Sequence, residues 1–354
     1  MTRGIVFALF LWYNEDKKTS CRYFYLTDIA KQKKAFGREE TKMVIPDLYV
    51  MIGIPASGKS TFTVDFAKRG YNILSSDEIR ERIFGEGFPT DEEGRNRLTS
   101  AVFNLIRKEA RAMLKDGESV VIDATNLNRK KRIKLLSYFN EVPCHKKATL
   151  FITSPEVCKE RNKMRPIGKQ VPSEDMNRLM RGFEAPVLGE GWDEIIPVIG
   201  SDEYKFPFHL LADFSQDNPH HTLTLGGHMD SAKEYALAHG YSERLVKICA
   251  LHDIGKLLTK EFKNYKGEPS KTAHFYGHEN VGAYLYLAME LCGKDRKKDE
   301  IKEILYDAAL INCHMRPLIA WRDSAKAKDR DRLIFGDGFI SDIEKINAAD
   351  GAAH

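Results

Sequence analysis

The feature that most constrains this chain is a glycine-rich loop between an apolar run and a helical segment. Residues 48–53 (LYVMIG) have the composition of a buried strand, and GIPASGKS (residues 53–60) continues from it. Glycines let backbone N–H groups converge on a phosphate at a helix N-terminus, where the helix dipole favours negative charge. The lysine of this pattern reaches the β- and γ-phosphates, and the serine binds Mg²⁺. The loop predicts a nucleoside triphosphate site formed by Gly53, Ser57, Gly58, Lys59, Ser60 and Thr61.

Short apolar runs alternate with amphipathic segments over the first half of the chain. This alternation predicts a parallel sheet covered by helices, so the first domain is assigned to the α/β class. Its strands are predicted at 48–53, 72–76, 120–124 and 148–153, and its helices at about 58–68, 77–85, 96–115 and 128–139.

The character of the sequence changes after about Pro197. Nearly everything from His221 onward has helical periodicity, which predicts an all-α second domain. Its helices are predicted at 228–240, 243–257, 276–292, 299–314 and 339–352. The predicted organisation is an N-terminal extension (1–45), a P-loop domain (46–199), a linker (200–219) and a helical domain (220–354).

Length and composition are those of a globular protein with two or three domains, at about 150 residues per domain. Of the 354 residues, 42% are hydrophobic and 30% are charged, which excludes a disordered or collagen-like chain. No apolar run approaches ~18 residues, so we expect no membrane span. The six cysteines form no Cys-x-x-Cys pair, which argues against a disulfide scaffold or zinc ribbon and favours the cytoplasm.

The first 45 residues are the hardest to interpret. Ile5–Tyr13 is an apolar run behind one arginine, but no small-residue cleavage site follows it, which disfavours a secretory signal. Two alternatives stay open. The segment adds a strand or helix to the first domain, or the natural start is Met43.

An acidic residue follows the second predicted strand. Asp77 lies 18 residues after Lys59, at the edge of the sheet where the γ-phosphate is expected. A carboxylate there can accept the proton of an attacking hydroxyl. Ser76 and Asp77 are also good helix-capping types, so position alone leaves the two roles of Asp77 open.

Further candidates follow the third and fourth strands. The strand VVID ends in Asp123, which is predicted to hold Mg²⁺ through water. Thr125 and Asn126 follow at the same edge and are predicted to contact the substrate. Arg161 and Arg165 are four apart, so on a helix they share one face and can clamp the transferred phosphate.

Together these motifs resemble the 5′-hydroxyl polynucleotide kinase branch of P-loop phosphotransferases. The resemblance covers about residues 46–190 and rests on GIPASGKST, SSDEIR, VIDATN, and the arginine pair followed by VPSEDMNRLMRGFEAP. It implies Asp77 as general base and Arg80 as a ligand of the phosphate next to the acceptor hydroxyl. It also implies Lys59, Ser60, Arg161 and Arg165 as the set that binds ATP phosphates and Mg²⁺. Related small-molecule kinases share much of this pattern.

Most of the 11 histidines lie after residue 200, and several have carboxylates beside them. They are His228, His252-Asp253, His274, His278, His314 and, near the end, Asp350. Imidazoles and carboxylates without thiolates suit an octahedral Mn, Ni, Co, Fe or Mg centre better than structural zinc. Such a centre lowers the pKa of bound water and supplies hydroxide at neutral pH.

The second half resembles the HD phosphohydrolase superfamily, and most of all the HD domain of bacterial tRNA nucleotidyltransferases. The resemblance covers about residues 218–354 and rests on NPHHTLTLGGHM, HDIGK, HFYGHENVGA and NCHM. It implies His228, His252, Asp253 and Asp350 as primary metal ligands. His278 and His314 would hold a second metal or contact the phosphate, and Lys256 would bind phosphate. His220 and His221 are poorer ligand candidates.

The favoured interpretation is a two-headed enzyme that heals nucleic-acid ends, with RNA preferred. The kinase would phosphorylate a 5′-OH, and the HD domain would remove a 2′,3′-cyclic, 2′- or 3′-phosphate, leaving ends for a separate ligase. One alternative is a nucleoside or small-metabolite kinase fused to a nucleotide phosphohydrolase. Another is an ATP-gated nucleic-acid-binding protein with a vestigial HD site.

Overall fold

The computed structural model describes residues 45–85, 91–219 and 222–353. The first half contains strands β1 (Asp47–Ile52), β2 (Asn72–Ser75), β3 (Val120–Asp123), β4 (His145–Ile152) and β5 (Glu194–Ile199). Its helices are α1 (Lys59–Lys68), α2 (Ser76–Phe84), α3 (Glu92–Lys115), α4 (Arg129–Ser137), α5 (Pro155–Lys163) and α6 (Ser173–Met180). The strands form one parallel sheet in the order β2-β3-β1-β4-β5, which confirms the predicted α/β class.

Strand β5 has no counterpart among the predicted strands. Its sequence EIIPVI contains Pro197, which cannot donate a hydrogen bond to a sheet. The strand lies at the edge and pairs only with β4, where a proline is tolerated.

The register of the sheet brings the predicted catalytic segments to one edge. Ser75 at the end of β2 pairs with Asp123 at the end of β3, and Ile152 pairs with Ile199. The nucleotide loop follows the end of β1 between these pairs. In parallel sheets, ligands bind outside the carboxyl ends of the strands, where all these segments lie.

The second half is helical, as predicted. Its helices are α7 (Leu225–Ala238), α8 (Glu243–Cys249), α9 (Lys256–Thr259), α10 (His278–Leu291), α11 (Lys298–Cys313), α12 (Ala325–Phe335) and α13 (Asp337–Ala352). Helix α12 has no counterpart among the predicted helices, and two further features differ from the prediction. Strands β6 (Glu261–Lys263) and β7 (Pro269–His274) form a small antiparallel pair, and the helix expected over 243–257 ends at Cys249.

Helix α10 lies at the centre of the molecule. Eleven of its 14 residues are buried, as expected for a helix that is apolar all round. It packs against α11 in the second half and against β4 in the first. One hydrophobic core therefore runs from Leu48 in β1 to Ala353 beyond α13.

Several predictions concern residues outside the described ranges. They include the extension before residue 45 and the poorer ligand candidates His220 and His221. The boundary at residues 199–200 stays a prediction. No helix within residues 45–85, 91–219 or 222–353 is long and apolar enough to cross a membrane.

Candidate active sites

The nucleotide loop has the backbone expected of a phosphate-binding turn. Gly58 has φ 106°, a left-handed conformation that glycine adopts without strain, and it precedes α1. Ser57 is buried, and its hydroxyl oxygen has no hydrogen-bond partner among the described residues. Ser60 and Thr61 are exposed in the first turn of α1. The helix N-terminus and the unpaired hydroxyl suit an anionic ligand.

Lys59 is the charged group of this loop. Its side chain is buried, and Nζ donates hydrogen bonds to the carbonyl oxygens of Gly53 and Ile54 at 2.9 and 2.8 Å. Burial lowers the pKa of Lys59 to about 8, although the charges of Asp123 and Asp77 partly oppose the shift. The pKa of Asp123 is raised, because burial outweighs the attraction of Lys59. The predicted cation and carboxylate therefore act on each other electrostatically.

Asp77 is available to a substrate. The cap of α2 is Ser75, whose hydroxyl accepts a hydrogen bond from the Glu78 backbone, so neither Ser76 nor Asp77 caps the helix. The Asp77 side chain is 79% exposed and forms an ion pair of 2.6 Å with Arg80. The two predicted acceptor-site residues are thus in contact with each other at the sheet edge.

The segment after β3 is held rigidly by hydrogen bonds. Asn126 has φ 44°, and its Nδ2 donates to the Met51 carbonyl at 2.8 Å. The Thr125 carbonyl accepts from Gly53 N at 3.0 Å. These two predicted substrate residues therefore also join the segment to β1 and the nucleotide loop.

A buried arginine that sequence reasoning missed supports this segment. Arg132 and Glu190 are both fully buried and form two hydrogen bonds of 2.7 Å. Arg132 also donates to the carbonyls of Asn126 and Leu127 at 3.1 and 2.7 Å. Its sequence context, the basic helix α4, gives no sign that two of its arginines, Arg129 and Arg132, are buried.

The predicted arginine pair is arranged differently from expectation. Arg161 lies in α5 and donates to the Gly200 carbonyl at 2.6 Å. Helix α5 ends at Lys163, so Arg165 lies beyond it and the premise of one shared helix face is wrong. The positive charge of Arg165 contributes, as the smallest of several causes, to the lowered pKa of Lys59.

The second candidate site gathers all six predicted metal ligands. His228 in α7, His252, Asp253 and Asp350 in α13 have ligand atoms within 4.8 Å of one another, and Asp253 forms a second such group with His278 and His314. Asp253 Oδ2 lies 3.2 Å from His228 Nε2, and Oδ1 lies 3.0 Å from His278 Nε2. Asp253 therefore faces one group with each oxygen, an arrangement suited to a carboxylate that bridges two ions.

Backbone carbonyls fix the orientation of the imidazoles. His252, His278 and His314 each pair Nδ1 with the carbonyl three residues earlier, at 2.8 Å. His228 Nδ1 pairs with the Ala353 carbonyl at 2.6 Å. Each Nδ1 then carries its proton and each Nε2 is presented as a ligand, which is the usual support of metal-binding histidines. The donor set fits divalent metal ions, and these distances suit ligands of a shared ion, which lie about 3 Å apart.

The electrostatics of this centre are strongly coupled. Burial lowers the pKa of His228, but hydrogen bonds with Asp253 and Asp350 outweigh burial and raise it to about 9. Burial raises the pKa of Asp350, but hydrogen bonds from His228 and His252 outweigh it and lower the pKa.

The predicted phosphate ligand Lys256 lies against this centre. Its buried Nζ lies 2.6 Å from Asp253 Oδ2 and donates to Gln216 Oε1 at 2.9 Å. Gln216 is also buried, and it belongs to the segment predicted as a linker. No local pattern marks Gln216, because its role depends on packing against a residue 40 positions away. His274, by contrast, lies against Ser270 and Tyr276.

The fold and the two sites define a P-loop kinase domain followed by an HD domain. Residues 48–186 match the family model described as an AAA domain, and residues 224–334 match that of the HD domain. A P-loop kinase domain uses ATP with Mg²⁺, and HD domains bind divalent metal ions. The chain thus joins a P-loop kinase domain to an HD domain.

Individual known proteins match the first domain. This chain is 29% identical over 153 residues to the L-seryl-tRNA(Sec) kinase of Methanococcus maripaludis, in a match that spans 41% of this chain and 56% of that protein. The chain therefore spans about half the length of that curated relative.

Some solved structures are similar to part of this chain. A gluconokinase from Sinorhizobium meliloti has a TM-score of 0.33 at 23% identity, covering 44% of this chain and 83% of the other. The Pnkp1/Rnl/Hen1 RNA repair complex has a TM-score of 0.33 at 24% identity, covering 40% of this chain and 45% of the other. Similarity at this level leaves the substrate open.

Proposed function

We propose that this protein heals both kinds of broken nucleic-acid end, with RNA as its substrate. The kinase domain transfers the γ-phosphate of ATP to a 5′-OH, and the HD domain removes a 2′,3′-cyclic, 2′- or 3′-phosphate. One observation supports the proposal. The same chain contains an exposed carboxylate, Asp77, beside the nucleotide loop and two buried groups of metal-ligand candidates that share Asp253. Phosphate is added at one centre and removed at the other.

In the kinase domain, Asp77 accepts the proton of the 5′-OH as its oxygen attacks the γ-phosphorus. The bond to the β–γ bridging oxygen breaks, and ADP leaves. Lys59, Arg161 and Arg165 bind the phosphate oxygens, while Ser60 and Asp123 hold Mg²⁺. Arg80, which contacts Asp77 at 2.6 Å, binds the neighbouring phosphate of the acceptor strand and so places the hydroxyl beside the base.

In the HD domain, His228, His252, Asp253 and Asp350 hold one divalent ion, and Asp253, His278 and His314 hold a second. Mn, Ni, Co and Fe suit this donor set. When bound, such ions lower the pKa of water so that hydroxide forms near neutral pH. Lys256 binds a phosphate oxygen of the substrate, and Gln216 orients it. Attack by one water opens the cyclic ester to a 2′- or 3′-phosphate, and hydrolysis of that monoester by a second water releases inorganic phosphate and leaves free 2′- and 3′-hydroxyls.

RNA is preferred for two reasons. The curated relative is named for a substrate hydroxyl carried on a tRNA, so a kinase domain of this type accepts an acceptor attached to RNA. Cyclic phosphate ends also require a 2′-OH, which DNA lacks. We place the enzyme in the cytoplasm, where its free cysteines stay reduced, and expect a separate ligase to join the healed ends.

The proposal is tested on one RNA strand with a 5′-OH and a 2′,3′-cyclic phosphate. The full chain is incubated with radiolabelled ATP, Mg²⁺, and Mn²⁺ or Ni²⁺, and both ends are read by electrophoresis. We expect label at the 5′ end and a free 3′-OH. Parallel reactions with DNA and with a mononucleoside measure specificity. If a mononucleoside is phosphorylated at the same rate as the RNA, the proposal of a polynucleotide substrate is wrong and a metabolite kinase is favoured.

Paired variants assign each activity to its domain. Asp77→Asn should lower 5′ phosphorylation by ~10²- to 10⁴-fold and leave phosphate removal intact. The control is Glu78→Gln, the exposed neighbour in the same helical turn. Asp253→Asn should lower phosphate removal and leave 5′ phosphorylation intact. Its control is Asp230→Asn, which changes an exposed residue. Loss of both activities in a folded Asp77 or Asp253 variant would contradict the assignment of two sites.

A further inference from the structure

The nucleotide loop is supported from behind by Thr153, the first residue after β4. Thr153 is fully buried, and its hydroxyl donates a hydrogen bond to the Ser57 carbonyl at 3.0 Å. Ser57 directly precedes Gly58, at the point where the loop turns into α1. The position of this carbonyl therefore depends on where the Thr153 backbone is held.

The packing around this contact leaves little room for movement. A Cβ atom added to Gly200 would lie 2.0 Å from Thr153 Oγ1 and 2.9 Å from the Ser57 carbonyl oxygen. The Gly200 carbonyl also accepts the hydrogen bond from Arg161. Thr153 thus lies where the loop, the end of β5 and a predicted phosphate-binding arginine meet.

The Thr153 backbone is held in turn by a residue of the HD domain. Tyr284 lies in α10 and is fully buried, and its hydroxyl donates to the Thr153 carbonyl at 2.8 Å. The same hydroxyl accepts a longer hydrogen bond of 3.4 Å from Thr153 N. Within the described part of the chain, the Thr153 carbonyl also accepts a weak contact from the Cys158 thiol at 3.8 Å. Burial raises the pKa of Tyr284 well above its usual value, so the hydroxyl keeps its proton and remains a donor.

We propose that Tyr284 is a positioning residue for the nucleotide loop, contributed to the kinase site by the HD domain. It acts through Thr153 and contacts no reacting atom. The inference rests on the proposed function only in that the loop binds ATP. Since α10 begins with the metal-ligand candidate His278, the same helix serves both sites.

The chain offers a close control for removing this hydroxyl. Tyr286 lies two residues further along α10 and is equally buried, but its hydroxyl donates to Asp307 Oδ2 at 2.7 Å inside the HD domain. We compare Tyr284→Phe with Tyr286→Phe by measuring the Kd for a non-hydrolysable ATP analogue with Mg²⁺, the KM for ATP and the thermal midpoint. Tyr284→Phe should weaken nucleotide binding by ~3- to 10-fold, the worth of one hydrogen bond. Tyr286→Phe should leave the Kd unchanged even where it lowers the midpoint.

A second pair of variants tests the hydrogen bond from the Thr153 hydroxyl to the Ser57 carbonyl. Thr153→Val removes the hydroxyl that holds Ser57, whereas Thr153→Ser keeps it and should restore nucleotide affinity. Thr149 is a matched control, because it is buried in β4 and its hydroxyl has no hydrogen-bond partner among the described residues. Thr149→Val should therefore leave nucleotide affinity at the wild-type value.

The outcomes separate this inference from the proposed function. Wild-type nucleotide affinity in Tyr284→Phe would overturn the inference about Tyr284. It would also be overturned if Tyr286→Phe weakened nucleotide binding as much as Tyr284→Phe, because that would indicate a general loosening of helix α10. The variants could change nucleotide affinity as expected while RNA ends are not phosphorylated. That result would support the positioning role of Tyr284 and contradict the proposal that RNA is the substrate.

Discussion

At the scale of single residues, burial and charge together set the properties of the nucleotide loop. Lys59 is buried against two backbone carbonyls, and its pKa of about 8 lies below the ordinary value of 10.5. Its protonated form therefore opposes folding at neutral pH, and this cost is relieved as the pH rises from about 8 toward 10.5. A bound triphosphate reverses the balance, because its negative charge favours the protonated amine.

This balance predicts that nucleotide binding takes up a proton at alkaline pH. Calorimetric titrations at pH 8.5 in two buffers of different ionisation enthalpy should show uptake of a large fraction of a proton, and titrations at pH 7 should show little. Lys59→Arg should remove the difference between the two pH values, since arginine stays protonated in both states. Equal proton uptake by the wild-type protein at pH 7 and pH 8.5 would contradict the lowered pKa of Lys59.

Single residues also show how far a sequence can be interpreted. Lys59, Asp123 and the six ligand candidates were predictable, because phosphate and metal chemistry impose particular residue types at particular spacings. Gln216, Arg132 and Tyr284 were not, since each acts through a contact that exists only after folding. Their sequence neighbours would look the same if these side chains pointed into solvent.

At the scale of elements, periodicity predicts long segments better than short ones. Helix α10 was expected at 276–292 and covers His278–Leu291, because its apolar residues fix its type and extent. The helix expected over 243–257 instead ends at Cys249, and turns follow before α9. These turns bring His252 and Asp253 within reach of the other ligand candidates, a placement that a continuous helix would not give.

Five segments of the second half converge on the two ligand groups, which predicts two ions per chain, and one of these segments is the turn that carries His252 and Asp253. His228 comes from α7, Asp350 from α13 and His278 from α10, while His314 follows α11. Equilibrium dialysis with Mn²⁺, followed by metal analysis, should find about two ions in the wild type, one for each ligand group. The double variant His278→Ala/His314→Ala should retain about one.

Asp253→Asn should weaken both sites, because the carboxylate faces both ligand groups. Asp230→Asn, on the exposed side of α7, should bind like the wild type. Two tightly bound ions in the double histidine variant would show that His278 and His314 serve another purpose, such as contact with the phosphate.

At the scale of the whole molecule, the two domains are parts of one packed body. The side chain of Asn312 in α11 joins the two domains through hydrogen bonds. Its Oδ1 accepts from Ala185 N at 2.7 Å, and its Nδ2 donates to the Phe183 carbonyl at 3.2 Å and to Asn280 at 3.1 Å. The sequence predicted two domains but gave no sign of this junction, because an interior asparagine has no pattern of its own.

The shared core predicts that the domains unfold together. Trp192 and Trp321 are buried in the first and second halves. In a chain whose third tryptophan is also replaced (Trp12→Phe), the Trp321→Phe and Trp192→Phe variants allow each half to be followed by fluorescence in urea. We expect one common midpoint. Asn312→Ala should lower the free energy of unfolding by about 3 kcal/mol for both probes, because it leaves interface groups buried and unpaired. Exposed Asn140→Ala is the control. Separate midpoints in the wild type would contradict the shared core.

The continuous core also limits how this protein can be made and used by a cell. A fragment cut near residue 200 would expose the surface that α10 now covers on β4, and exposed apolar surface invites aggregation and degradation. The two candidate active sites are therefore produced in equal number. Under the proposed function, a cell cannot change the ratio of the kinase site to the phosphohydrolase site by expressing the two halves at different levels.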